Sequence, residues 1–324
     1  MRLNYCGGAP RAEITQLFAP AMESLMAEDE KVIYLDADLM GSLKTQTLWK
    51  QHPDRVFNCG IQEANMVGVA CGLYLAGYKP YIHSFAPFIT RRVFDQVFIS
   101  AGYAHKSIHL IGSDVGIMAT DNGGTHMCFE DIALMRTIPG ACIIDVTDAT
   151  MLLSLLRETK DRPGVTYFRT ARRGMPDIYE EGTRFEVGKG LVLTEGNDVT
   201  IVASGIMVST ALEAQKLLLK ENIHARVIDP VTIKPLDIDL VLRCAKETGA
   251  IVTAENHSVL GGLGGSVAEI VSQNFPVPIL MVGIQDRFGQ VGNEAFLRQQ
   301  YGLLPENIVE NVHRAIALKK HVTV

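Results

Sequence analysis

Phe57-Asn-Cys-Gly-Ile-Gln-Glu-Ala-Asn-Met-Val67 runs through an almost uncharged stretch to Ala76, and Tyr81-Ile-His-Ser-Phe-Ala-Pro-Phe-Ile-Thr-Arg-Arg-Val-Phe-Asp-Gln96 follows it. Val56 and Phe57 read as a short strand that meets Gly60, and a single carboxylate, Glu63, opens a helix predicted over 64–76. Met66, Val67, Val69, Ala70, Cys71, Leu73 and Leu75 give that helix an apolar surface, so it reads as a buried element. An acid on the first turn of such a helix either stabilises the helix N-terminus by its charge or works in a dry site. On spacing alone both readings stand.

Working outward, apolar runs at 32–35, 81–85, 107–111, 141–146 and 165–168 predict strands, and helical spacing recurs over 12–27, 89–104, 130–136 and 150–157. Continuous apolar strands alternating with helices imply a parallel sheet covered on both faces. Polar and turn residues from Arg173 to Gly188 break the rhythm. A second series follows, with strands at 191–193, 199–203, 225–228, 250–253 and 279–282 and helices near 207–220, 238–247, 264–273 and 293–300. The expected fold class is α/β, two doubly wound domains over 1–175 and 189–324, joined by a linker over 176–188.

Composition narrows the function. The 324 residues suit about two domains. A net charge of −6 gives no basic face for nucleic acid. The absence of a long apolar run predicts no membrane span. Six scattered cysteines, Cys6, Cys59, Cys71, Cys128, Cys142 and Cys244, form no Cys-x-x-Cys pair, and read as reduced thiols of a cytoplasmic protein.

Several stretches could carry chemistry. Asp121-Asn-Gly-Gly-Thr-His126 follows a predicted strand, which puts it at the carboxyl edge of the sheet where open α/β folds bind ligands. His126 there could donate a hydrogen bond or shuttle a proton, although spacing alone favours a surface turn. Phe85, Phe88 and Phe94 beside Pro87 are explained by core packing, and Arg91 and Arg92 by a solvated helix face. Gly261-Gly-Leu-Gly-Gly265 misses dinucleotide-loop spacing and reads as a tight loop capping a helix, with a structural His257 beside it. No phosphate-binding Walker loop, His-Glu-x-x-His or Gly-x-Ser-x-Gly occurs.

Taken together, His52-Pro-Asp-Arg-Val56, Gly60-Ile-Gln-Glu-Ala-Asn-Met-Val67, Ser84-Phe-Ala-Pro-Phe-Ile-Thr-Arg91, Phe94-Asp-Gln96, Gly124-Thr-His126 and Val227-Ile-Asp-Pro-Val-Thr-Ile-Lys-Pro-Leu236 resemble the pyrimidine-binding and C-terminal domains of transketolases. The resemblance covers essentially the whole chain. It implies thiamine diphosphate and Mg²⁺ as cofactors, and transfer of a two-carbon ketol unit from a ketose (phosphate) to an aldose. The family's diphosphate-binding domain carries a Gly-Asp-Gly motif, which does not occur here. The expectation is therefore the C-terminal subunit of a split enzyme, with metal ligands on an N-terminal partner and an α₂β₂ assembly in which this chain self-associates.

By the same resemblance Glu63 shares a proton with N1′ of the aminopyrimidine. Phe88 stacks on the ring with Phe85 in support, and Arg91 stands at a cofactor position usually held by Tyr. His126 matches the catalytic histidine that contacts the donor's reacting hydroxyl and carbonyl oxygens, and Asp121, Asn122, Asp36 and Arg172 fall at or near substrate positions. Asn122 departs from the family Asp that reads the donor hydroxyl, and Gly124 replaces Pro. Rival expectations are the beta subunit of a 2-oxo acid dehydrogenase, a deoxyxylulose-phosphate-synthase-like enzyme, and a non-catalytic assembly subunit.

Overall fold

A computed structural model describes residues 12–322; Cys6 and the first eleven residues of the expected first domain lie outside the described residues. The strands are β1 (Val32–Asp36), β2 (Val56–Asn58), β3 (Lys79–Phe85), β4 (Ile108–Ser113), β5 (Cys142–Asp145), β6 (Val165–Thr170), β7 (Leu191–Thr194), β8 (Val199–Ala203), β9 (Ala225–Asp229), β10 (Thr232–Lys234), β11 (Ile251–Ser258) and β12 (Ile279–Ile284). They form a seven-stranded sheet, β10-β5-β6-β4-β3-β1-β2, and a five-stranded sheet, β12-β11-β8-β9-β7. All pairings among β1–β6 are parallel. β1, β4 and β6 are buried along their whole length, as strands with helices on both faces must be.

β10 departs from the sequence reading. It belongs to the second half of the chain by order, yet it pairs antiparallel with β5 at the edge of the first sheet. Residues 176–188 contain no regular helix, but Ile178, Tyr179 and Phe185 are buried. Asp148, which caps the helix Ala149–Glu158 through Met151 N–H at 2.8 Å, also accepts from Ile178 N and Tyr179 N, each at 2.9 Å. The Tyr179 hydroxyl donates to Asp229 at 2.6 Å, so this stretch is packed against both halves.

The single helix expected over 89–104 is broken. A turn at Ala86–Ile89 ends at Thr90 (φ −118°, ψ −82°), whose hydroxyl donates to the Ala86 carbonyl at 2.6 Å. A 3₁₀ turn, Arg91–Val93, and a widened helical stretch, Val97–Tyr103, follow. Such irregular helices recur at functional sites. The helix Pro305–Val322 had no counterpart in the sequence reading; Ile308, Val312 and Ala315 supply its buried stripe.

At Gly261–Gly265 the helix-capping reading holds. Leu263 N–H and Gly264 N–H donate to buried Glu255 at 2.6 and 2.8 Å, and a Cβ on Gly262 would lie 1.9 Å from that carboxylate. Burial nevertheless pushes Glu255 up to about 8 and holds His257 down to about 4. The five described cysteines are free thiols, and no described helix is long and apolar enough to cross a membrane.

Candidate active site

The carboxyl ends of β1, β3, β4 and β6 lie side by side, with Asp36 opposite His83, Phe85 opposite Ser113, and Ser113 opposite Thr170. In an open α/β sheet this edge is where ligands bind. The residues that follow each strand build the site.

Glu63 opens its helix after Gly60, which takes a left-handed φ of +74° to turn the chain out of β2. The Glu63 side chain is only 3% exposed. Its Oε1 accepts from the Ser84 hydroxyl at 3.1 Å and from Arg92 Nη1 at 2.8 Å. The Arg92 guanidinium also lies over the Phe88 ring, 3.8 Å from its centroid, a cation–π distance. Phe88 meets the His126 ring edge-on at 5.2 Å, and Phe85 meets the same ring at 5.9 Å. Arg172 completes the row 5.1 Å over Phe85, and its Nε donates to Asp114 at 2.7 Å. Glu63, Arg92, Phe88, His126, Phe85 and Arg172 thus form one contiguous line although they span 110 positions, from 63 to 172.

The structure separates the remaining candidates. Arg91 turns away from that line and pairs with Glu130 at 2.6 Å. Asp121 is exposed and pairs with Arg173 at 3.0 Å, and Asn122 is exposed beside it. Asp36 is wholly buried. Its carboxylate accepts from the Tyr34 hydroxyl at 2.9 Å and from Leu39 N–H at 2.5 Å, and bonds His83 Nδ1 at 2.7 Å. His83 Nε2 lies 3.0 Å from Ser113 Oγ, so a buried network ties β1, β3 and β4 together below the site. Two residues on, Asp38 is exposed in a left-handed conformation (φ +62°) and accepts from Asn58 Nδ2 at 2.9 Å.

Sequence reasoning missed Arg92, Ser84 and the Asp36–His83–Ser113 network. Ser84 could have been found, since it lies within the quoted stretch at a strand end. Arg92 could not, because its direction depends on the break at Thr90.

Residues 11–177 match the family model for the transketolase pyrimidine-binding domain, and residues 188–308 the model for the transketolase C-terminal domain. The chain belongs to the transketolase family. It is 44% identical to the 6-deoxy-6-sulfo-D-fructose transketolase subunit of a Clostridium species, over 90% of this chain and 91% of that one. It is 35% identical to an apulose-4-phosphate transketolase subunit of Phocaeicola vulgatus, over 90% and 93%. A solved split-gene transketolase, described as an inactive beta4 tetramer, superposes with a TM-score of 0.87 at 39% identity, over 95% of this chain and 99% of that one. These transketolase relatives are transferase subunits of this chain's own length, and the family depends on thiamine diphosphate. Among the described residues no group of three His, Cys, Asp or Glu is placed to hold a metal ion.

Proposed function

We propose that this chain is the C-terminal half of a split transketolase, moving a two-carbon ketol unit from a ketose with an anionic end to an aldose. The contiguous line from Glu63 to Arg172 carries the reading. Its residues fit the pyrimidine end of thiamine diphosphate. Both hydrogen bonds to Glu63 among the described residues end on Oε1, which leaves Oε2 of a buried carboxylate for a ring nitrogen. Phe88 offers a flat apolar surface beside it.

When bound, the cofactor supplies the carbanion chemistry by which a ketol unit is detached and passed on. Glu63 holds and moves the proton at the ring nitrogen, and Ser84 with Arg92 fixes its orientation. His126 hydrogen-bonds the donor's reacting oxygens. The Thr125 hydroxyl, 2.9 Å from His126 Nδ1, sets which ring nitrogen faces the substrate. Arg172 receives the donor's anionic end in exchange for Asp114. The relatives named for 6-deoxy-6-sulfo-D-fructose and apulose-4-phosphate support a sulfonate or a phosphate there.

The diphosphate and Mg²⁺ are assigned to an N-terminal subunit bearing Gly-Asp-Gly, in an α₂β₂ particle with this chain at its centre. The test is reconstitution. Mixing both chains with thiamine diphosphate and Mg²⁺ should give ketol transfer, and neither chain should act alone. Turnover by this chain alone, or decarboxylation of a 2-oxo acid by the pair, would overturn the reading.

Self-association has its own support. Gly68 and Gly72 lie one turn apart in the helix Glu63–Leu75, and a Cβ on either would meet nothing within 4 Å. A helical Gly costs about 1 kcal/mol against Ala, so within one chain both are unexplained. Val69 and Leu75 on the same helix, and Ile61 just before it, are exposed. A second copy packed closely on this face accounts for both features. Gly72→Leu should leave circular dichroism unchanged and shift this chain to a monomer in sedimentation; an unchanged oligomer would remove the helix from the interface.

Arg92 gives a further expected outcome. Arg92→Ala should weaken thiamine diphosphate binding to the two-chain enzyme about tenfold, equivalent to about 1.4 kcal/mol, by calorimetry. Arg92→Lys should recover only part of this, because an ammonium keeps the ion pair and loses the planar stack. Unchanged affinity in Arg92→Ala would remove it from the site.

A further inference from the structure

The loop carrying Asp121, Asn122 and His126 hangs between β4 and the helix Asp131–Arg136, and much of what fixes it comes from the other half of the chain. Asn256, 1% exposed on β11, accepts from Ile117 N–H at 3.0 Å through Oδ1 and donates to the Val115 carbonyl at 3.2 Å through Nδ2. Gly292 N–H donates to the Thr120 carbonyl at 3.2 Å, and Ser258 N–H to that of Phe129 at 2.9 Å. Between these anchors two backbones touch. A Cβ on Gly124 would lie 2.5 Å from the Gly289 carbonyl oxygen, and one on Gly289 would lie 2.9 Å from Gly124 Cα and 2.6 Å from Met127 Sδ. Gly123, at φ +68°, faces Val291 in the same way, with 2.7 Å between a Cβ there and Val291 Cγ2. The contact explains why Gly stands at 124, where the resemblance led one to expect Pro: neither backbone leaves room for a ring.

We propose that residues 289–291, together with Asn256, are positioning residues for His126, so that the C-terminal domain sets how the donor sugar is held. The inference rests on the ketol-transfer reading for the role of His126. The contact itself does not depend on that reading. No residue of 289–291 reaches the Glu63–Phe88 surface by any described bond, so the segment should act on the donor and leave the cofactor alone.

Gly289→Ala pushes on Gly124 and Met127 without requiring a new backbone conformation. In the reconstituted two-chain enzyme it should lower kcat/KM for the donor about tenfold, since a misplacement of about 1 Å near the chemistry can cost up to 10²-fold. Thiamine diphosphate affinity, by calorimetry, should stay within about twofold (a change of about 0.4 kcal/mol). In this chain alone, amide exchange over 118–127 should accelerate while β3 and β4 stay protected. Val291→Gly approaches from the opposite side. It loosens the contact by deleting an exposed side chain, cannot fail through overpacking, and should move the same quantities the same way. Gly265→Ala, where the nearest atom to a Cβ is Arg136 Nη1 at 3.5 Å, serves as the control and should change none of them.

Donor kcat/KM within about twofold of wild type in both variants overturns the proposal, as does a fall in cofactor affinity that matches the fall in kcat/KM. Amide exchange needs neither cofactor nor partner. A wild-type pair that transfers no ketol would therefore sink the functional reading while leaving the loop contact separately measurable.

Discussion

Glu63→Gln should fold like the wild type and lose nearly all turnover. The amide is isosteric, and its oxygen can still accept from Ser84 and Arg92, so the melting temperature should move by no more than a few degrees. It cannot hold and return a proton at the cofactor's ring nitrogen. Positioned proton transfer contributes about 10²–10⁴-fold, and kcat in the two-chain enzyme should fall by that order. Glu63→Ala should fall at least as far and also weaken cofactor binding, because no partner for the ring nitrogen remains. A kcat for Glu63→Gln within about threefold of wild type, a change smaller than 1 kcal/mol in barrier, would assign Glu63 to charge stabilisation of its helix.

The second large effect lies between the two halves. Arg169 is wholly buried on β6, and each of its three guanidinium nitrogens donates one hydrogen bond. Nε donates to Asp131 at 2.7 Å, Nη1 to Asp145 at 3.1 Å, and Nη2 to the Asn256 carbonyl at 2.6 Å. Asp145 also accepts from Ser204 at 2.7 Å, and Tyr167 donates to Asp131 at 2.7 Å. Arg169→Met would fill the volume and leave two buried carboxylates without their cation. Breaking a buried pair in this way costs about 3–5 kcal/mol, and urea unfolding should show a loss of that size. A loss under about 1 kcal/mol would mean that the network contributes no more than a surface pair.

The loss should depend on pH in a stated direction. Burial raises the Asp145 pKa while Arg169 holds it down, so removing Arg169 raises it further. An acid whose folded pKa lies above its unfolded value favours folding when protonated and opposes it when ionised. The deficit should therefore be largest near neutral pH and narrow as pH falls toward the carboxylate range. A deficit that widens on acidification would contradict this account of the network.

The part of the site that the sequence revealed is the part with local causes. Glu63 could be placed because Gly60 and the apolar run after it define a helix start without reference to anything distant. Phe85 ends a strand and Phe88 follows it, which puts both at the carboxyl edge of the sheet. Their adjacency to His126 and Arg172 was readable only through resemblance, since nothing local relates position 88 to position 126. Asp36 and Asp38 show how little suffices to mislead. Both carboxylates sit at the end of β1, but the chain leaves the strand between them, so one faces the buried His83 and the other solvent.

Arg91 and Arg92 make the same point more sharply. Neighbours on a helical turn differ by about 100° in direction, so which guanidinium meets Glu63 is fixed by the phase of the turn. That phase is set at Thr90, whose backbone (φ −118°, ψ −82°) leaves the helical conformation while its hydroxyl bonds the Ala86 carbonyl, and no pattern of apolar residues reports it. Sequence alone determined the alternation of buried strands and helices, and with it the α/β class and the acid at the start of the Glu63 helix, because period and burial are local properties of a chain. Only the tertiary structure decided that β10 crosses to the first sheet, that Arg92 rather than Arg91 holds Glu63, and that Gly289 meets Gly124. The first and third join the two halves of the chain and form only once both are packed together; the second joins two segments of the first half that are brought side by side only by the folded sheet.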